Sequence, residues 1–152
     1  MSLARTLRPL AVAAAMIAAG AASAQSVTDR IEARQGQFKL FALHLGPLAM
    51  MAQGRMDYDA AVAQAAADNL VSLSGLDQGL LWPEGSDSVA MTGTRARPAI
   101  WENPEDFAAK LAALNAGAVA LAAVAGDGQA ALGGALGGVA GACSACHQAY
   151  RQ

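Results

Sequence analysis

The chain has 152 residues, ten basic against twelve acidic, for a formal net charge of −2. One domain is the default at this length, because about 100 to 200 residues make one core, and a large multidomain enzyme is excluded. The charge balance leaves no basic footprint for nucleic acid, and two cysteines allow at most one bridge, so a disulfide-stapled scaffold is excluded too.

Residues 1–24 read as a secretory signal. Arg5 and Arg8 supply a positive start, Leu10 to Ala19 an apolar run too short for a comfortable bilayer span, and Ala22-Ser23-Ala24 a small-residue cleavage site. Cleavage after Ala24 leaves residues 25–152 as one exported domain, expected in a periplasm-like compartment with no membrane segment of its own.

From Val27 to Met51, Ile31, Phe38, Phe41, Leu45 and Leu48 recur near the helical period, with Pro47 expected to kink the helix near its end. After Gly54, Asp57 or Asp59 caps a second helix reaching about Leu76 or Leu80, with Val62, Ala66, Leu70 and Leu73 as its buried stripe. Gly79 to Glu102 holds no sustained period and contains Pro83, Gly85, Gly93 and Pro98, a long loop of the kind that covers something.

Asn103 as cap, Pro104 at the first helical position and Glu105-Asp106 at the positive end of the dipole mark a third helix. It carries Phe107, Leu111, Leu114, Ala118 and Leu121 and stops at Gly126. Asp127 is the expected cap of a fourth helix through Leu132, Leu136, Val139 and Cys143. The Ala-rich stretch from Leu111 to Cys143 is no single membrane span, because Gly126-Asp127-Gly128 breaks it. The fold class is therefore all-α, an antiparallel up-down-up-down four-helix bundle.

Glycines 133, 134, 137, 138 and 141 share one face of the last helix, where each costs about 1 kcal/mol relative to alanine. Either a flat group approaches the backbone there or a neighbouring helix packs closely.

The chemistry sits near the C-terminus. Cys143-Ser144-Ala145-Cys146-His147 is the C-x-x-C-H pattern of c-type haem attachment. On a helix these positions share a face. Two thiols then reach the vinyl groups of one covalently bound haem c, and His147 ligates the iron. A thioredoxin-like reading would need a preceding strand, and a zinc site four ligands, whereas the only other histidine, His44, lies far off in the first helix.

This motif on the last helix, followed by Tyr150-Arg151, resembles the cytochrome c′ family across essentially the whole exported chain. Arg34-Gln35, Tyr58-Asp59-Ala60-Ala61 and Ala96-Arg97-Pro98-Ala99-Ile100-Trp101 are similar to that family's landmarks. The resemblance implies that Arg34 and Gln35 contact a haem propionate. It also places Phe38 at the position facing the iron's sixth site, where low-spin relatives of the cytochrome c-556 type carry a ligating methionine.

A phenyl ring has no lone pair for iron, so five-coordinate, high-spin haem is expected. Met50, Met51 and Met56 lie about 18 to 27 Å along the axis from Phe38, and His44 about 240° round it, so none is expected to ligate. Arg151, one turn beyond His147, sits beside the proximal imidazole or complements the helix dipole. Trp82 and Trp101 close the haem edge or anchor the core.

The function so implied is gas binding at an open site, with NO and CO as ligands and NO buffering or detoxification as the role. A six-coordinate electron carrier working with redox partner proteins is the alternative. No catalytic residue and no enzyme activity are expected. The resemblance also implies a homodimer through the first two helices, where Ala42, Ala49 and Ala52 permit close approach.

Overall fold

A computed structural model describes the backbone of residues 8–152 and the side chains from residue 27 onward. The predicted cleavage segment and its Ala22-Ser23-Ala24 site lie outside the residues whose side chains are described. The elements are α1 (Arg8–Ala52), α2 (Ala60–Ser74), a short α3 (Ala99–Glu102), α4 (Pro104–Ala122) and α5 (Gln129–Tyr150). The four long helices form a ring in which α1 packs on α2 and α5, and α4 packs on the same two. Among the described residues there is no strand, only an isolated antiparallel bridge between Ala96 and Arg151.

Local signals set most of the ends. Asp59 has an extended backbone and accepts the Val62 N–H at 3.0 Å, so of the two candidate caps it is the one used. The helix it starts ends at Gly75, earlier than the Leu76–Leu80 expected. Pro47 lies inside α1, which nevertheless runs on to Ala52.

Two capping expectations fail. Asn103 occupies the cap position of α4, but its side chain donates back to the Ala99 carbonyl and caps nothing. Asp127 does not cap α5; that place is taken by Gly128, whose φ of 116° is a region open mainly to glycine. The chain has to turn sharply between α4 and α5, and backbone freedom outweighs a side-chain hydrogen bond there.

Leu48, Met51, Leu70, Leu121, Leu132 and Val139 are completely buried and form the core with Phe41, Leu114 and a set of alanines. Each large side chain contributes about 1.5–3 kcal/mol by leaving water. The stripe of α2 is Ala63, Ala66, Ala67 and Leu70. Val62 is not part of it and stays 47% exposed. The helix is rotated so that these alanines face the core and Val62 faces outward. Tyr58 ties the two short turns together: its hydroxyl donates to the Ala125 carbonyl at 2.8 Å and accepts the Gly128 N–H at 2.9 Å.

The glycine face of α5 is turned away from the core. A Cβ at Gly134, Gly137, Gly138 or Gly141 would meet nothing within 4 Å. The close approach is made from the other helix, by Gly117 of α4, whose Cβ would stand 3.2 Å from the Val139 nitrogen and 3.3 Å from the Gly138 carbonyl carbon. Two substitutions separate these cases. Gly137→Ala should raise stability by about 0.5–1 kcal/mol through helix propensity alone. Gly117→Ala should lower it, because the obstacle is backbone. Thermal unfolding of the two variants checks both signs.

Candidate haem site

Near the C-terminal end of α5 a cavity of about 590 Å³ opens between α1, the long loop, α4 and α5. That is the scale of a cofactor pocket, typically about 300–1,000 Å³. Cys143, Cys146 and His147 all line it, as their spacing on one helical face requires. Opposite them, α1 contributes Phe38, Phe41, Ala42 and Leu45; α4 contributes Phe107, Leu111 and Leu114.

The two thiols are free and half-buried. Burial pushes both up from the ordinary cysteine range, and in Cys146 the neighbouring Cys143 adds to it. His147 is held below the usual histidine range, chiefly by burial and then by Arg151 and Arg95. An imidazole kept neutral keeps its lone pair for a metal.

Among the described residues no group of three or more histidine, cysteine or acidic side chains could hold a bare metal ion. The donor set is one imidazole and two unpaired thiols beside a large apolar cavity. That set fits a porphyrin held by two thioethers and one axial bond.

Two devices hold this wall in place. The first is Arg34, 2% exposed. Its terminal nitrogens donate to Ser86 Oγ at 2.8 Å, the Ser86 carbonyl at 2.6 Å and Thr94 Oγ1 at 2.7 Å, and its guanidinium lies 4.5 Å from the Trp82 ring centre. Gln35 donates to the Gly93 carbonyl at 2.7 Å. These two residues line the cavity, and they also pin the loop to α1, a task the sequence did not disclose.

The second device is a strap at residues 94–98. Arg97 N–H donates to the Tyr150 carbonyl at 2.9 Å, Gln152 N–H donates to the Arg95 carbonyl at 2.9 Å, and the Arg97 guanidinium reaches the Gln148 carbonyl at 3.2 Å. The strap thus satisfies carbonyls at the end of α5 that no helical N–H can reach. It fixes the last turn, which carries His147 and Arg151.

An aromatic cluster closes the cavity's far side. Trp82 lines the cavity and packs edge-on against Phe107 at 4.8 Å between centres, with Phe38 at 6.3 Å and Trp101 at 6.4 Å. Trp101 stands behind it, its indole N–H donating to the Trp82 carbonyl at 3.2 Å. Neither His44 nor Met50, Met51 or Met56 lines the cavity; Met51 is core and Met56 is 40% exposed.

Sequence reading also missed the tie between Asp106 and Tyr150, whose hydroxyl donates to Asp106 Oδ2 at 2.5 Å. The bond holds the Asp106 carboxyl below its usual range and pushes Tyr150 up to about 12. A carboxyl depressed on folding adds stability above its ordinary pKa of 3.8, and that stability is lost as pH falls through the folded value. Tyr150→Phe should therefore show a flatter loss of melting temperature than the parent between about pH 5 and about pH 3. Parallel thermal melts across that range check it.

Comparison with known proteins agrees with this geometry. The family model described as cytochrome C′ matches residues 29–151. The cytochrome c′ of Cereibacter sphaeroides is 44% identical over 147 residues, 97% of each chain. A cytochrome c-556 of Agrobacterium fabrum is 36% identical over 132 residues, 86% of each. Among solved structures, the cytochrome c′ from Rhodobacter Spheriodes is 43% identical, with a TM-score of 0.80, covering 82% of this chain and 96% of that one. The nitric oxide complex of a leucine-to-isoleucine mutant of cytochrome c prime from Alcaligenes xylosoxidans is 33% identical, with a TM-score of 0.71, covering 83% and 96%.

The protein is a c-type haem protein built on a four-helix bundle, with haem c attached covalently. It belongs to the cytochrome c′ family.

Proposed function

We propose that this protein carries a five-coordinate, high-spin haem and binds small uncharged gases, NO and CO, at an open distal position, with NO buffering or detoxification in the periplasm as its role. One observation carries the reading. The apolar part of the α1 wall is Phe38, Phe41, Ala42 and Leu45, none of which has a lone pair for iron, while Arg34 and Gln35 on the same helix are tied to the loop by hydrogen bonds. The cavity lining contains no methionine and no histidine besides His147.

The residues divide the work as follows. Cys143 and Cys146 hold the cofactor as thioethers, and His147 supplies the axial imidazole. When bound, the haem supplies an iron with one position free for a diatomic ligand. Phe38 and Phe41 exclude water and present an apolar wall without a hydrogen-bond donor, which withholds stabilisation from bound O₂ and leaves CO and NO little affected. Arg34 and Gln35 are the proposed propionate contacts, Arg34 through its charge, since its terminal nitrogens already bond the loop. Arg151 lies exposed one turn beyond the axial ligand and keeps that pocket positive.

The relative solved as a nitric oxide complex supports the ligand class. The cytochrome c-556 relative keeps one other reading in view, a six-coordinate electron carrier, which a ligand at the Phe38 position would create. Export with cleavage after Ala24, and a homodimer through α1 and α2, complete the proposal. Leu40, Leu43 and Val62, exposed at 44%, 64% and 47%, give those two helices an apolar outer surface.

The test is the ferrous holoprotein titrated with CO beside a Phe38→Met variant. The parent should bind CO saturably and form no lasting O₂ complex. The variant should convert in part to low spin and lose CO affinity by at least about tenfold, about 1.4 kcal/mol of competition from the new ligand. A variant spectrum identical to the parent would remove Phe38 from the distal position.

A further inference from the structure

Charge is distributed unevenly around the cavity. Arg34, Lys39, Arg95, Lys110 and Arg151 line it, and no carboxylate does among the described residues. Half of the chain's ten basic residues thus face one opening, in a chain whose net charge is −2. Lys110 is paired with Asp106 at 3.5 Å, and Arg34 is buried. Lys39, Arg95 and Arg151 are exposed and form no ion pair among the described residues. The loop and the C-terminus bring two of them together, because Ala96 bridges Arg151 and Gln152 N–H bonds the Arg95 carbonyl. Lys39 joins them from α1.

Haem's two propionates and Asp106 offset three of the five charges, so a positive rim remains around the opening. We propose that this rim is a docking surface for an acidic protein, which exchanges electrons with the iron through the cavity opening. The proposal rests on haem occupying the cavity, not on which gas the iron binds.

Three features favour a protein over a small anion. The exposed cations come from three separate elements, so they present a surface and not a convergent cage. Among the described residues the buried unpartnered side-chain atoms are Gln37 Oε1 and Ser88 Oγ, and neither residue lines the cavity. Long, solvated lysine and arginine side chains at a rim act mainly on encounter rate, raising it by about 10- to 1,000-fold through the field they create. A positive rim on an acidic protein also orients an acidic partner, because the rest of the surface repels it.

The experiment reads the local charge directly. Reduced holoprotein is oxidised by ferricyanide, one electron passing from the protein to give ferrocyanide, and separately by tris(phenanthroline)cobalt(III), which becomes cobalt(II). Ionic strength is varied from about 0.01 M to about 0.15 M, shrinking the screening length from roughly 30 Å to about 8 Å. The ferricyanide rate should fall and the cobalt rate rise with salt, opposite to what net charge dictates. Lys39→Glu/Arg95→Glu should slow ferricyanide by at least about tenfold at low salt, with the rates converging at high salt.

A second readout does not involve electron transfer. A fluorescein-labelled octaglutamate peptide should bind the parent with salt-sensitive anisotropy and fail to bind the charge-reversed protein. Rates that follow net charge, or ignore salt, would overturn the rim itself. Steering of ferricyanide without peptide binding would mean a site for small anions only and overturn the protein partner. Salt-sensitive self-association in sedimentation, abolished by the same variant, would give the surface to a second copy of this chain and overturn the proposal too.

Discussion

A single buried cation, Arg34, underlies the site. Moving a guanidinium to 2% exposure carries a large desolvation cost, and among the described residues no carboxylate makes a salt bridge with it; Asp87 acts on it only through space. The cost is offset by hydrogen bonds to Ser86, Thr94 and the Ser86 carbonyl, and by the face of Trp82. All those partners lie on the long loop, so the satisfaction of Arg34 and the closure of the loop over the cavity are one event. Trp82, once placed, aligns Phe107 and Trp101 behind it, and Phe107 in turn packs edge-on against Tyr150 at 5.3 Å. One charge on α1 thereby organises the loop and, through the aromatic chain, the helix end that carries the iron ligand.

The consequence for chemistry is asymmetry across the cavity. The α5 side offers two thiols and a neutral imidazole, its helix end clamped by the 94–98 strap. The α1 side offers the hydrocarbon of Phe38, Phe41, Ala42 and Leu45, with the polar Arg34, Gln35 and Lys39 beside it. On the proposed reading, an iron bonded from one side only would keep the other for a ligand, and the apolar residues of α1 would favour ligands that need no hydrogen bond. The cationic side chains line the same cavity. On the two proposals made above, ligand choice and partner choice would fall to different residues.

Much of this was legible in the sequence because it rests on local rules. The C-x-x-C-H spacing, the Pro104-Glu105-Asp106 helix start and the core residues Leu48, Leu70, Leu114, Leu121 and Leu132 depend on short-range periodicity. What was missed depends on orientation or on contacts distant in sequence. Val62 and Ala63 both fit a helical stripe, and only the rotation of α2 about its own axis decides that Ala63 is buried and Val62 exposed. Asp127 has the right chemistry to cap α5, but the positive φ needed at the tight turn gives the position to Gly128. The glycine-rich face of α5 drew attention to itself, while the glycine that permits helix contact is Gly117 on α4. Arg34 was legible as a cavity residue, but its bonds to Ser86 and Thr94 join residues more than fifty positions apart, and no periodicity encodes them.

The central claim is that nothing on the α1 wall bonds the iron. Its most direct test is the low-temperature EPR spectrum of the ferric holoprotein at neutral pH. A high-spin signal is the result predicted for iron bonded on one axial side only. A purely low-spin spectrum would mean a sixth protein ligand that this cavity does not contain, and would move the protein to the electron-carrier reading.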